Sequence, residues 1–150
     1  MSLIVTVNSA PLREVLDRLH TVTNDLSPVM EAIGGEMETR IRGRFETQSD
    51  PLGAAWTTWM PSTVKTYPKD GNKRMLDRHG HMLRSLSHVF DAHSATVGFG
   101  QPYAADHEFG TKKMVRRGLL FADPDAGTLA PDDEAALLDI VTRFLDQAID

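Results

Sequence analysis

Cysteine is absent from this chain of 150 residues, which excludes disulfides, thiolate nucleophiles and cysteine-ligated zinc sites. No apolar run approaches the roughly 18 residues of a membrane-spanning helix, so we expect no membrane segment. The N-terminus also lacks a basic stretch followed by an apolar one and a small-residue cleavage site, so we expect no secretory signal. Together these absences favour a protein made and kept in the cytoplasm.

What the chain does contain is ordinary for a globular protein. Apolar residues make up 41% and charged residues 25% of the sequence. A chain of this length can bury one real core but not two, so we expect a single domain over residues 1–150. The sequence has no internal repeat and no low-complexity tract.

The net charge of −5 hides a strong segregation of charge along the chain. Residues 1–39 carry a net charge of −4, residues 40–117 a net charge of +6, and residues 118–150 a net charge of −7. A basic middle segment is typical of a nucleic-acid surface, or of a patch that meets the acidic end of a neighbouring copy. We favour the second interpretation because the basic residues are scattered over 78 positions.

Apolar periodicity predicts two helices in the first third of the chain. A β-branched stretch at residues 3–7 favours a short strand, and helical spacing follows up to about residue 22. A second stripe, with steps of three and four, runs from Leu26 to Phe45 and predicts a long helix. The pair Gly34-Gly35 lies within it, where each glycine costs about 1 kcal/mol relative to alanine. The sequence gives no reason for this pair.

Periodicity is lost between about residues 47 and 80, where several prolines and glycines accumulate. Irregular stretches of this length within a compact domain are usually functional or disordered. This one contains Trp56 and Trp59, and tryptophan is unusual in a segment that only moves in water. We therefore predict an extended loop that one or both tryptophans attach to the body.

The remaining patterns favour strands and then a helix. Alternating apolar residues predict a hairpin from 82–90 and 95–99, and Val115 with residues 119–121 suggests a further strand. Pro131 and the three acidic residues after it are typical of a helix start, so we predict a helix from there to the C-terminus. The expected fold class is α+β, with a small antiparallel sheet packed against a long central helix and a C-terminal helix.

The first short motif is Asp50-Pro-x-Gly-x-x-Trp56, directly after the long helix. Pro51 is expected to stop the helix, and Gly53 to permit a positive φ, so that the chain reverses and directs Trp56 at the body. The motif predicts a turn with a core tryptophan, which also positions the loop that follows.

Two later motifs also indicate turns. Gly80 precedes Leu83 and alternating apolar residues, with no apparent acid or base role. The stretch from Tyr103 to Gly110 contains Asp106, His107 and Glu108, three titratable groups in succession. Imidazoles and carboxylates together can bind a transition metal, but three consecutive residues on a strand alternate sides, and a helix spreads them by about 100° each. We therefore expect neither a metal site nor a catalytic site here.

A basic loop follows, with Lys112, Lys113, Arg116 and Arg117 on either side of Met114-Val115. The neighbouring aromatics Tyr103 and Phe109 are too few for a platform that stacks bases. The loop is either a solvated surface or the contact for an acidic partner, such as the C-terminal region of an adjacent subunit.

These motifs occur in the order and spacing of a known family. The DPxGxxW turn, the Gly80-Leu83-Ser85 stretch and the Tyr103-to-Gly110 stretch resemble the phage virion morphogenesis family, the tail completion proteins of Mu-like tailed phages. The resemblance covers roughly residues 26–122. The family usually has an Arg-Pro pair before an apolar strand, where this chain has Arg117-Gly118.

The resemblance implies a small α+β subunit, from an infecting phage or a prophage, that completes the tail and helps join it to the head without catalysis. It implies a virion protein assembled in the host bacterial cytoplasm as a hexameric ring. Other tail and head–tail connector proteins are its expected partners, and genome DNA passes through the lumen without specific binding. No cofactor, metal or membrane is expected.

Two sets of residues follow from these interpretations. The expected assembly interface consists of Trp59, Lys65, Lys69, Lys112, Lys113, Arg116 and Arg117. The expected structural anchors are Pro51, Gly53, Trp56, Gly80, Leu83, Tyr103, Phe109 and Gly110.

Two other classes of function stay open at this point. A metal-dependent nuclease or hydrolase needs Asp106, His107 or Glu108 to converge with His79 or His81. A nucleic-acid-binding module needs the basic residues of the middle segment to gather on one face.

Overall fold

Six helices and one hairpin make up the part of the chain that the structure describes. The structure is a computed structural model that describes residues 9–58, 60–66, 75–76 and 80–149. The elements in chain order are α1 (Ala10–Val22), α2 (Ser27–Thr47), α3 (Pro61–Thr66), α4 (His81–Arg84), β1 (Leu86–Phe90), β2 (Ala95–Phe99), α5 (Ala104–Phe109) and α6 (Pro131–Ile149). The predicted strand at residues 3–7 lies outside the described residues.

The central helix α2 organises the core. The stripe predicted from periodicity is buried along its length, with Met30, Met37, Ile41 and Phe45 at most 6% exposed. One side of α2 packs against α6, which also packs on α1, and the hairpin covers another side. The predicted long central helix and C-terminal helix are therefore confirmed, and the fold is α+β.

Local signals account for the helix ends. The side chain of Ser9 caps α1 by accepting a hydrogen bond from the backbone N–H of Leu12 at 3.3 Å. Proline also lies in the first turn of α1 and α2, where its missing N–H costs nothing. α2 ends at Thr47, where the apolar periodicity is lost, but the residue that closes it is not the expected Pro51: Gln48 takes a left-handed conformation with φ 53° and ends the helix first.

The hairpin of β1 and β2 confirms the predicted antiparallel sheet. Its register pairs Leu86 with Phe99 and Phe90 with Ala95. The turn between the strands is held by Asp91, whose Oδ1 accepts the backbone N–H groups of residues 93 and 94, both at 2.8 Å. The first residues of the predicted strand, 82–84, instead form the short helix α4.

The hairpin explains one of the two glycines in α2. The ring of His88 on β1 lies against Gly34, and a Cβ atom there would come within 2.7 Å of the ring carbon Cδ2. Gly34 therefore permits the close approach of β1 to α2, which offsets its cost in helix propensity. A Cβ atom on Gly35 would meet nothing within 4 Å, and the structure gives no reason for a glycine there.

The strand predicted from Val115 and residues 119–121 is wrong: these residues pair with no strand in the described chain. Leu119, Leu120 and Phe121 are nevertheless at most 2% exposed. An apolar run indicates burial, but it does not indicate which groups form hydrogen bonds with the buried backbone. The described sheet consequently has two strands, and the backbone at 119–121 bonds to side chains instead.

The Asp50-to-Trp56 motif forms the predicted turn. The Asp50 carboxylate accepts the backbone N–H groups of Leu52 and Ala54, each at 2.9 Å. Gly53 has the expected positive φ, +87°. The reversed chain pairs with the residues that end α2, and the Trp56 backbone N–H donates to Gln48 O at 2.8 Å.

Trp56 is the buried anchor of this turn, at 5% exposure. Its ring meets the ring of Phe45 edge to face, with the centroids 5.8 Å apart. Its indole Nε1 donates to Gly118 O at 3.0 Å. One side chain thus joins the turn to the central helix and to a residue 62 positions away.

We expect Trp56→Ala to lower the free energy of unfolding by about 3–5 kcal/mol, because it leaves a cavity beside Phe45 and an unpaired Gly118 carbonyl. Urea unfolding followed by circular dichroism measures this change. The matched control is Leu52→Ala in the same turn, where a side chain 62% exposed is removed. An equal, small effect of both variants would contradict the anchoring role.

Candidate assembly site

A buried length of irregular backbone lies at the centre of the region that the motifs single out. We call residues 118–121 the central segment; all four residues are buried. Buried backbone N–H and C=O groups require partners, and the described chain places no strand beside this segment to supply them. Its hydrogen bonds come from side chains of three distant elements and of the adjoining basic loop.

Glu108 satisfies the N–H groups of the central segment. Its carboxylate is fully buried at the end of α5. Oε2 accepts the N–H groups of Leu119 at 2.6 Å and Leu120 at 3.0 Å, and Oε1 accepts that of Phe121 at 3.0 Å. Bonds from N–H groups to a carboxylate are stronger than those between neutral groups, so one side chain takes the place of a neighbouring strand.

Three of the four carbonyl groups accept hydrogen bonds from other side chains. The donors are Trp56 Nε1 to Gly118 O at 3.0 Å, Arg44 Nη1 to Leu119 O, and Arg116 Nη2 to Phe121 O at 2.6 Å. The central segment therefore connects α2, the DPxGxxW turn, α5 and the basic loop through polar bonds within an apolar core.

The same network extends to the start of α6 through an ion pair. Asp133, in the first turn of α6, is 1% exposed and accepts bonds from Arg44 and from Arg40, the latter at 3.3 Å. Arg40 also pairs with Glu36 one turn earlier on α2. The sequence identifies the acidic first turn of α6 as a helix start, but not that one of its carboxylates is buried against α2.

The basic loop divides into two pairs with different surroundings. Arg116 and Arg117, expected at the assembly interface, both donate within the chain. Arg116 Nε bonds to Glu108 O at 2.7 Å, and Arg117 Nε bonds to Thr57 O at 2.9 Å. Lys112 and Lys113 are exposed at the tip of the loop. The Arg116 side chain thus bonds to buried groups, the Arg117 side chain bonds to backbone carbonyls at the surface, and the two lysines are exposed at the tip.

Of the other three expected interface residues, the structure describes one. Lys65 is exposed on α3. Trp59 and Lys69 lie outside the described residues. The expectation that these three residues contact other subunits stays a prediction.

The expected anchors differ in burial. Besides Trp56, Gly80 is buried and begins α4 with φ +76°, and Leu83 packs against the core. Gly110 ends α5 with φ +75°. Tyr103 and Phe109 are 41% and 44% exposed, so much of each ring remains available to a partner.

The titratable triplet does not converge on a metal site. α5 turns Glu108 into the core, leaves Asp106 exposed and places His107 between them, as a helical spread of about 100° per residue requires. Among the residues that the structure describes, no three metal-ligating side chains lie close enough to hold one ion. His79 lies outside the described residues.

His107 occupies an unusual position for an imidazole. Its Nδ1 is buried and has no hydrogen-bond partner among the described residues. Burial lowers the pKa of His107 below its usual 6.5, the Arg117 guanidinium lowers it further, and the Asp106 carboxylate opposes both effects. The ring of Tyr103 meets it edge to face, with the centroids 6.2 Å apart. The uncharged imidazole is the form that this site favours.

Comparison of the sequence with known proteins gives a family match. The sequence profile of the phage virion morphogenesis family matches residues 7–145. The chain belongs to this family. The resemblance drawn from the three motifs is therefore confirmed, and the family places the protein in the assembly of phage particles.

Two relatives come from Mu and a Mu-like prophage. "Mu-like prophage FluMu G protein 2" of Haemophilus influenzae is 28% identical over 137 residues, which cover 91% of each chain. "Putative capsid assembly protein G" of Escherichia phage Mu is 29% identical over 117 residues, which cover 75% of this chain and 74% of the relative. No solved structure matches the chain significantly.

None of the helices that the structure describes is long and apolar enough to cross a bilayer. The profile match includes the turn motif, the central segment and most of α6, so the side-chain bonds described above lie within the family region.

We expect Glu108→Gln to lower the free energy of unfolding by about 2–3 kcal/mol, since an amide NH₂ would face backbone N–H groups and leave a donor unpaired. Chemical denaturation measures the loss. The control, Asp106→Asn, makes the same change two residues away on an exposed carboxylate. If the two variants unfold alike, the carboxylate does not hold the central segment.

His107 should make folding depend on pH in a defined direction. Because its pKa is lowered in the folded state, the unfolded chain takes up a proton first as the pH falls below 6.5, so stability is lost on acidification. We expect His107→Gln to flatten the dependence of unfolding free energy on pH between about 7 and 5. A steeper slope in His107→Gln would show the opposite shift.

Proposed function

We propose that this protein is a structural subunit that completes the phage tail and helps join it to the head, forming a ring without catalysing a reaction. The observation that carries the proposal is the division of the basic loop. Arg116 binds the base of the loop to the buried residues Glu108 and Phe121, and Arg117 binds it to the surface backbone of Thr57 and Thr58. Lys112 and Lys113 are exposed at the tip of this supported loop. A rigid base with an exposed charged tip suits a contact between virion proteins.

We propose that the protein is not a catalyst because of the surroundings of the three candidate side chains on α5. Glu108 is fully used as an acceptor of backbone N–H groups, so it is not available as a general base or a ligand. Asp106 is exposed and His107 is half-buried on α5, and His107 Nδ1 has no hydrogen-bond partner among the described residues. These placements favour assembly over the hydrolase alternative.

A specific nucleic-acid surface is also disfavoured. Several of the basic residues that make the middle of the chain positive are directed into the protein: Arg44 is 7% exposed, and Arg40 and Arg116 bond to internal groups. A DNA-binding stripe would need these charges together on one face. Their placement supports a subunit past which genome DNA slides without tight binding.

The ring is proposed from symmetry and charge. A contact between unlike surfaces closes into a ring when the rotation per subunit allows it, and a basic middle with an acidic C-terminal part provides two unlike surfaces. We propose six copies per ring, in contact with other tail and head–tail connector proteins in the virion. Assembly would occur in the cytoplasm of the bacterial host.

We expect Lys112→Glu/Lys113→Glu to leave the monomer folded and to abolish tail completion. The assay adds purified protein to a lysate that lacks it and counts complete particles by electron microscopy. The matched control reverses two exposed charges on α1, Arg13→Glu/Arg18→Glu. Normal numbers of complete particles with a folded double-lysine variant would contradict the proposal that this loop makes an assembly contact.

A further inference from the structure

A large groove lies beside the basic loop, bounded by the residues that follow the DPxGxxW turn and by α3, α4 and α5. Its volume is about 870 Å³. Four methionines are among its lining residues: Met60, which is 66% exposed, Met114, and the nearly buried Met75 and Met82. Methionine side chains adapt their shape to an apolar partner, and such surfaces are common where proteins bind one another.

The groove has a positive rim. Lys113 and Arg117 line it, and none of its described lining residues is acidic. Met60 is 66% exposed and Val115 is 47% exposed on this side of the molecule. An occupant with an apolar side chain next to a negative charge would match both properties.

The last turn of α6 has these two properties. Ile149 is 66% exposed, and Asp146, one turn earlier, is exposed as well. The last turn contains no basic residue, so nothing there offsets the negative end of the helix dipole. Residues 118–149 as a whole carry seven acidic side chains and one basic side chain.

The two surfaces do not meet within one chain. No described residue of α6 lines the groove, and α6 packs instead on α1 and α2. Contact between groove and helix end therefore requires two copies, with each copy using its groove on one side and its α6 terminus on the other. This is the head-to-tail geometry from which rings are built.

We propose that the methionine groove of one copy receives the last turn of α6 from a second copy. Ile149 of the second copy enters the apolar floor, and Asp146 lies beside Lys113 of the first copy. This interface rests on the proposed ring-forming function and identifies the surfaces that form it.

A charge-swap series tests the interface in the purified full chain. Lys113→Glu and Asp146→Lys should each weaken self-association by roughly tenfold or more, because each places like charges together. The double variant Lys113→Glu/Asp146→Lys restores opposite charges at every contact and should recover most of the affinity. Sedimentation velocity over a range of concentrations gives the association constants, and thermal melts verify folding.

Two further variants separate the apolar contribution from the charge. Met60→Glu and Ile149→Asp change exposed side chains on the two proposed surfaces, and both should lower self-association in a folded protein. The control Asp17→Lys makes the same reversal as Asp146→Lys at an exposed position on α1 and should have no effect.

Self-association that the single charge variants leave unchanged, or that the double variant fails to restore, overturns this interface. So does a wild-type protein that stays monomeric at every concentration. Neither result bears on tail completion, which the particle assay measures separately. Loss of completion in the lysine variant together with intact self-association would instead assign the basic loop to a different virion protein and overturn the present pairing.

Discussion

The fold depends on how the backbone of residues 118–121 obtains its hydrogen bonds. This segment crosses the apolar core with no strand beside it in the described chain, and unpaired buried polar groups would each cost about 1–3 kcal/mol. The Glu108 carboxylate accepts hydrogen bonds from three of the segment's N–H groups. Three of the segment's carbonyls accept hydrogen bonds from the side chains of Trp56, Arg44 and Arg116. Because these donors and acceptors come from four elements, the segment sets the mutual position of those elements.

This arrangement has a consequence for assembly. The residues that hold the central segment also hold the base of the basic loop, since Arg116 bonds to both Glu108 and Phe121. The loop tip therefore projects from a fixed support, while the rim of the methionine groove is formed by the same loop through Lys113 and Met114. A family of virion assembly proteins needs contact surfaces held in a reproducible geometry, and a polar network within the core provides this rigidity.

Much of the fold follows from local patterns. The stripe from Leu26 to Phe45 indicates α2 because a period near 3.6 has no other simple explanation, and Pro131 with its acidic neighbours marks the start of α6. The turn at Asp50-Pro-x-Gly is also local, since its hydrogen bonds span at most a few residues. The strand predicted at 119–121 is wrong, although the burial of these residues was predicted correctly. Their apolar side chains indicated burial but did not indicate that the backbone bonds to side chains rather than to a neighbouring strand. Glu108 stood out as a titratable group, but its partners lie 11 to 13 positions along the chain.

The sequence by itself determined the three long helices, the hairpin, the turn after α2 and the family, because each depends on residues close together or on motifs in a set order. Tertiary structure alone decided which charges face inward. Arg44 and Asp133 are separated by 89 positions, and Trp56 and Gly118 by 62, so no local pattern can pair them. Tertiary structure also gave the four cations of the basic loop different surroundings: Lys112 and Lys113 are exposed, whereas Arg116 and Arg117 bond within the chain. The physical reason is that a buried charge requires specific partners, and only the folded chain brings those partners within hydrogen-bond distance.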